Sequence, residues 1–151
     1  MIALVHLTHT FGKHTALRAV SLRVAKGEFA FLTGHSGAGK TTLLRILHGD
    51  LPVQQGTARI AGYNLAGLPK GKLPMLRRDV AVVFQDFKIL PDRSVAENVR
   101  LPLEVSGLPE EQIERRLTSV LASLGLQRLA GQACINLSGG EQQRVAIARA
   151  M

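Results

Sequence analysis

The chain has 151 residues, 46% of them apolar and 20% charged, a balance that suits one globular domain with a sizeable core. No apolar run approaches the roughly 18 residues of a spanning helix. The first ten residues lack a basic region leading into an apolar one, so a secretory signal is not expected and a cytosolic setting is the default. Net charge is +8, from 19 basic and 11 acidic residues, but the basic residues are dispersed and aromatics are 4%. No nucleic-acid partner is therefore expected, and an anionic nucleotide or an acidic membrane surface accounts for the excess as well. The single cysteine, Cys134, excludes an intramolecular disulfide and reads as a small buried residue between Ala133 and Ile135. The histidines, at 6, 9, 14, 35 and 48, show no metal-ligand spacing.

Residues 2–7 predict a short strand. Val20, Leu22 and Val24 alternate with Ser21, Arg23 and Ala25 in a second, which closes at Lys26-Gly27. Residues 28–33 predict a compact apolar strand, followed by a glycine-rich loop. From Lys40 to His48, Leu43, Leu44 and Leu47 keep helical spacing until Gly49 ends the helix and Pro52 prevents its resumption. Residues 57–61 predict a strand between two glycines. A turn-rich stretch then leads through Arg77-Arg78 to a buried strand at residues 80–84. Ile113, Leu117, Val120, Leu121 and Leu124 mark an amphipathic helix opened by Pro109 and ended by Gly125. Ser138 and Glu141 form a capping-box pair that opens a last helix running through Ala150. The implied division is a nucleotide-binding α/β core over residues 1–86, a helical subdomain over 87–138 and a final helix over 139–151, with no separate second domain.

Gly34-His-Ser-Gly-Ala-Gly-Lys-Thr41 fits the phosphate-loop pattern G-x-x-x-x-G-K-[ST]. Gly34, Gly37 and Gly39 let the backbone bend so that successive N–H groups, those of His35, Ser36 and Ala38 included, face phosphate oxygens. The following helix adds its positive end. Lys40 supplies a mobile charge for the β- and γ-phosphates, the Thr41 hydroxyl can join a magnesium shell, and Thr42 seals the first helical turn. His35 fills a variable loop position, and no side-chain chemistry is assigned to it. By itself this loop is open to ATPase, GTPase or nucleoside kinase chemistry.

Leu137-Ser-Gly-Gly-Glu-Gln-Gln-Arg144 is a second helix start, with two glycines baring its N–H groups beside a serine hydroxyl. Alone it is equally well a simple capped helix. The two motifs in this order resemble the ATP-binding-cassette (ABC) ATPases, and the resemblance covers the whole chain. It implies a P-loop NTPase fold with an antiparallel β edge and a helical subdomain, and ATP and Mg2+ as ligands. It also implies a homodimer in which Ser138, Gly139, Gly140 and Gln142 of one subunit close over ATP held by the other. Gln85, after residues 80–84, takes the place of the family's Q-loop glutamine, which touches magnesium and attacking water. Phe11 takes the place of the aromatic that stacks on adenine.

Residues 31–40 and 83–95, with Glu97-Asn98-Val99, are similar to the bacterial cell-division branch of the family. That likeness implies an integral membrane partner docking on residues 86–103, and a peripheral place at the cytoplasmic face of the inner membrane, with membrane contact indirect. The lipoprotein-release and macrolide-export ATPases are the alternatives within the family, and a non-hydrolysing nucleotide-binding regulatory module is the alternative outside it. Family members continue into an apolar strand ending in Asp and Glu (Walker B) and a histidine switch. Neither is found before Met151, so the C-terminal part of the core is expected to be missing. The 151 residues alone are then expected to bind ATP with negligible turnover, to expose the edge at residues 29–32, and to dissolve poorly.

Overall fold

The computed structural model describes residues 1–151, which divide into two compact units, Met1–Val80 and Ala81–Met151. The first is built on a four-stranded antiparallel sheet of order β2-β1-β3-β4. Strand β1 (Ile2–Phe11) pairs with β2 (His14–Val24) on one side and β3 (Gln55–Ile60) on the other, and β3 pairs with β4 (Tyr63–Asn64). Leu4 and Leu7 are both buried, although an odd spacing would put them on opposite faces of a regular strand. A bulge resolves this: His6 sits at φ 48°, and the register shifts between Leu4 and Leu7. The bulge's freed N–H is satisfied by Ser21, whose Oγ accepts from His6 N at 2.9 Å. From the facing strand, Ala19 N donates to Thr8 Oγ1 at 2.9 Å. Gly56 is obligatory against this bulge, because a Cβ there would lie 2.4 Å from the His6 carbonyl oxygen.

Helix α1 (Lys40–Leu47) lays Leu43, Ile46 and Leu47 on the core formed by Leu4, Leu7, Leu17, Ala58 and Ile60, and α2 (Leu73–Asp79) adds Leu76. Helix α2 falls in the stretch expected to be turns. Its signal was Pro74 at the first helical turn, where a missing N–H costs nothing.

Two expected strands are absent. Residues 28–33 and 80–84 join no ladder. Their composition is that of buried strands, but a strand exists only where a neighbour supplies hydrogen bonds, and no strand of this chain flanks either segment. Phe29 and Phe31 are 81% and 83% exposed, and their rings meet edge to face at 4.8 Å.

The second unit is helical: α3 (Val95–Val105), α4 (Glu110–Ser123) and α5 (Gly139–Ala148). Val95, Val99, Leu117, Leu121, Leu126, Cys134 and Val145 form its core, so Cys134 is the buried small residue expected of it. Burial pushes the Cys134 thiol up from its ordinary pKa. Helix α3 was not anticipated, yet its start carries a readable capping box: Ser94 Oγ accepts from Glu97 N, and Glu97 accepts from Ser94 N. Arg100 then ties α3 to α4 through Glu104, Glu110 and Glu114, and these carboxylates hold its guanidinium above the ordinary arginine range.

The most connected buried polar group is Asn98. Its Oδ1 accepts from Leu90 N at 2.8 Å, and its Nδ2 donates to Leu90 O at 2.9 Å, Ser94 O at 3.0 Å and Cys134 Sγ at 3.3 Å. One amide therefore pins the segment before α3 to the helical core. Asn98→Leu, which keeps the branching of the side chain but cannot hydrogen-bond, would strand both backbone groups of Leu90. It should destabilise the chain by about 2–3 kcal/mol, read as a fall in the urea midpoint of the helical signal.

Candidate functional site

The loop that begins at Gly34 reaches α1 through Gly37 and Gly39, which adopt φ 81° and 87°. Gly39 is the tightest position: a Cβ there would meet Ala16 O at 2.4 Å and Leu17 Cδ2 at 2.8 Å. The loop thus passes directly over β2, and only glycine fits at the crossing. Gly39 also caps α1 without a side chain. The first intrahelical bond runs from Leu43 N to Gly39 O at 2.9 Å, so the N–H groups of Lys40, Thr41 and Thr42 have no acceptor within the protein. Three donors and the positive end of a helix are left open, which is the arrangement an oxyanion requires.

Lys40 is folded back across its own loop. Its Nζ donates to Gly34 O at 2.7 Å and to His35 O at 2.8 Å, leaving one ammonium proton for another acceptor. His35 turns its Nδ1 to Ser36 O at 2.7 Å, and Ala38 N donates to His35 O at 3.2 Å. These contacts hold the loop as a shallow arch. Ser36 and Thr41 are exposed on it, while Thr42 is half-buried. The donor set fits a polyphosphate, and the Thr41 hydroxyl fits a hard cation.

Phe11 ends β1 and is 45% exposed, with the buried His9 ring against it at 4.8 Å and 68°. A clamp that the sequence does not announce fixes the residue before it. Gln54 Oε1 accepts from Thr10 N at 2.7 Å and its Nε2 donates to Thr10 O at 3.1 Å, mimicking one rung of a ladder. A lone glutamine 44 residues away carries no local signal.

The remaining candidates belong to the second unit. Gln85 is exposed in a turn, followed by Phe87 and Lys88 at φ 57° and 51°. The turn is held by Phe87 N donating to Phe84 O at 3.1 Å and by the Asp86 with Lys88 ion pair at 2.7 Å. The Arg149 guanidinium, from the end of α5, donates to the Lys88 carbonyl. Ser138 caps α5 in a full box: its N donates to Glu141 Oε2 at 2.8 Å, its Oγ donates to the same oxygen at 2.7 Å, and its Oγ faces Glu141 N at 3.4 Å. The Ser138 hydroxyl and N–H hold the Glu141 carboxyl below the usual carboxylate range. A depressed folded pKa makes this cap's contribution present at neutral pH and lost as pH falls through that value. Gly139 and Gly140 are exposed, and a Cβ on either would meet nothing within 4 Å. Gln142 turns inward, its Nε2 donating to Cys134 O at 3.0 Å and Leu137 O at 3.4 Å, so its amide braces the turn that carries Ser138.

The first unit thus presents an anion-binding loop with an exposed aromatic, and the second a turn glutamine and a second helix N-terminus. The family model described as ABC transporter matches residues 17–151. The chain belongs to this family. It is 47% identical over 137 residues to the cell division ATP-binding protein FtsE of Streptococcus pneumoniae serotype 2, covering 91% of this chain and 60% of that protein. It is 45% identical over 155 residues to the methionine import ATP-binding protein MetN of Sodalis glossinidius, covering all of this chain and 45% of that protein. The chain therefore spans less than two thirds of the length of these curated relatives. A dimeric ATP-binding cassette solved in a post-hydrolysis state with ADP and Pi superposes with a TM-score of 0.88 at 35% identity, over all of this chain and 69% of that one. The fold is that of an ABC cassette, a P-loop NTPase.

The two kinds of glycine in these motifs should separate on substitution. Gly39→Ala should weaken binding of a fluorescent ATP analogue by at least about tenfold and cost about 1–3 kcal/mol of stability, since the loop must lift off β2. Gly139→Ala should not lower the thermal midpoint of the chain and should raise it by up to a few degrees, because its Cβ points into open space and alanine is the better helix former.

Proposed function

We propose that the chain is the ATP-binding and ATP-hydrolysing cassette of a membrane ABC complex that acts in bacterial cell division with an FtsX-type integral membrane protein. It works as a homodimer at the cytoplasmic face of the inner membrane. The observation that carries this reading is the open first turn of α1 beneath Lys40, in a chain 47% identical to FtsE.

In this reading the N–H groups of the loop and of Lys40, Thr41 and Thr42 bind the β- and γ-phosphates. Lys40 exchanges its two carbonyl acceptors, Gly34 and His35, for phosphate oxygens, a short movement because its ammonium already lies over the loop. Phe11 offers a ring face to adenine, held in place by His9 and by the Gln54 clamp on Thr10. The Thr41 hydroxyl of the first unit and the Gln85 amide of the second would each offer an oxygen to Mg2+, which would neutralise phosphate charge. Ser138, Gly139 and Gly140 serve the γ-phosphate of the neighbouring subunit. There the Ser138 hydroxyl donates outward by rotating away from Glu141, and the two glycines let that subunit's backbone approach a phosphate closely. Gln142 supports the motif from below while its carbonyl oxygen stays available. Residues 1–86 act as the nucleotide core, residues 87–138 as the helical subdomain and residues 139–151 as the signature helix, with residues 86–103 receiving the membrane partner.

A second reading, the ATPase subunit of an uptake transporter, is favoured by the 45% identity to MetN. The membrane protein that co-purifies decides between the two.

Lys40→Ala should reduce affinity for ATP with Mg2+ by about tenfold or more in equilibrium titration with the folded signal unchanged, and equal affinities of variant and parent would remove phosphate-loop binding. Arg93→Glu combined with Leu90→Ala should reduce co-purification with an FtsX-type protein several-fold while leaving ATP binding intact. Undiminished co-purification would move the partner's docking site elsewhere.

A further inference from the structure

The charge of the chain is not shared between its units. The whole +8 lies in Met1–Val80, which has eleven basic and three acidic side chains, whereas Ala81–Met151 has eight of each. Pairing follows the same division. Five ion pairs lie in the second unit, and in the first Arg77 pairs with Asp50 at 2.8 Å. Nor are its other carboxylates spare: Glu28 accepts from Ala25 N at 2.6 Å, and Asp79 accepts from the Tyr63 hydroxyl at 2.6 Å. Nucleotide accounts for the charge at Lys40, but not for the densest run of cations. That run is Lys70, Lys72, Arg77 and Arg78, four within nine positions.

The local fold sorts this segment into two faces. A 3-10 turn over Lys70–Lys72 runs directly into α2, which turns Leu76 fully inward with Leu73 beside it. Lys72, Met75 and Arg78, three residues apart, fall on the outward side, with Met75 55% exposed and Lys70 exposed before them. A flexible apolar side chain is thus ringed by long cationic ones, and the only carboxylate on the stretch, Asp79, is bonded to Tyr63. A single-stranded nucleic acid is disfavoured, because the segment has no aromatic on which a base could stack.

We propose that residues 70–78 contact an anionic lipid bilayer directly, Lys70 and Lys72 meeting headgroup phosphates while Met75 enters the headgroup boundary. Clustered cations on a short amphipathic segment are attracted by the negative surface of the cytoplasmic leaflet, and methionine tolerates the irregular packing there. This adds to the membrane location of the proposed function a contact that needs no protein partner. It can therefore stand or fall apart from the FtsX-type reading.

The test uses the full 151-residue chain and protein-free vesicles. The chain should co-sediment with vesicles of phosphatidylglycerol and phosphatidylcholine at low ionic strength, and not with phosphatidylcholine alone. Binding should fall as salt rises. Lys70→Glu with Lys72→Glu should lower the partition coefficient by on the order of tenfold or more. Arg18→Glu with Arg23→Glu, which changes net charge equally on β2, should lower it by less than about threefold. Should the glutamate pair unfold the chain, Lys70→Gln with Lys72→Gln should still give a several-fold loss. Equal losses from both charge-reversed pairs would reduce the effect to diffuse net charge and overturn the proposal. So would vesicle binding untouched by the Lys70 and Lys72 variants, or RNA binding that those variants abolish while vesicle binding persists.

Discussion

Gly39 passes over β2 so closely that there is no room for a Cβ between the loop and the Ala16 carbonyl. The contact fixes the start of α1, because a left-handed residue at that point ends the loop and aims the helix axis. With glycine as the cap, no side chain is available to satisfy the first turn, and the N–H groups of Lys40, Thr41 and Thr42 remain open. One steric constraint therefore produces both the packing and the anion site. Leu43, Ile46 and Leu47, on the buried side of the same helix, hold that geometry against the sheet. A looser crossing would admit alanine, and it would lose the orientation of the donors.

The sheet beneath is itself irregular, and its irregularity has a use. The bulge at His6 lets Leu4 and Leu7 share one face. Each interruption of the ladder is answered by a nearby hydroxyl or amide: Ser21 at His6, Thr8 at Ala19 and Gln54 at Thr10. The last of these sets the end of β1, where Phe11 emerges. Its glutamine comes from the connection that leaves α1, so the aromatic and the phosphate loop are positioned from opposite ends of one helix.

What could be read in advance follows how local each cause is. Gly34, Gly37 and Gly39 before Lys40, Pro109 with Gly125, and Ser138 with Glu141 are local instructions, and the loop, α1, α4 and α5 stand where these signals put them. Ser94 with Glu97 was an equally local signal for α3. The failed strands have the opposite cause. Residues 28–33 and 80–84 have the composition of buried strands, but pairing is a property of two segments, and no strand of this chain flanks either. Asn98, Gln54 and Arg149 were invisible for the same reason, since each acts on backbone that is distant in sequence or known only once the helices are placed. The branch likeness carried by residues 83–95 is of a third kind. It was legible only as a resemblance, and no contact within the chain explains the order Asp86-Phe87-Lys88 beyond the ion pair and the two positive φ values of that turn.

The signature segment shows how a fold can separate its own needs from those of a ligand. At Gly39 the chain's own packing excludes every other residue, so that glycine needs no further explanation. At Gly139 and Gly140 the opposite holds: side chains would meet nothing, and helix propensity alone would favour alanine by about 1 kcal/mol per position. Ser138 and Glu141 already cap α5, and Gln142 already braces the turn before it, so the helix is complete without bare backbone at its first turn. Two successive glycines there weaken the helix and do nothing for the core. What they provide is unobstructed access to the first N–H groups of α5 from outside the chain. That is the property the proposed role of this segment requires, in which it receives a phosphate held by another molecule.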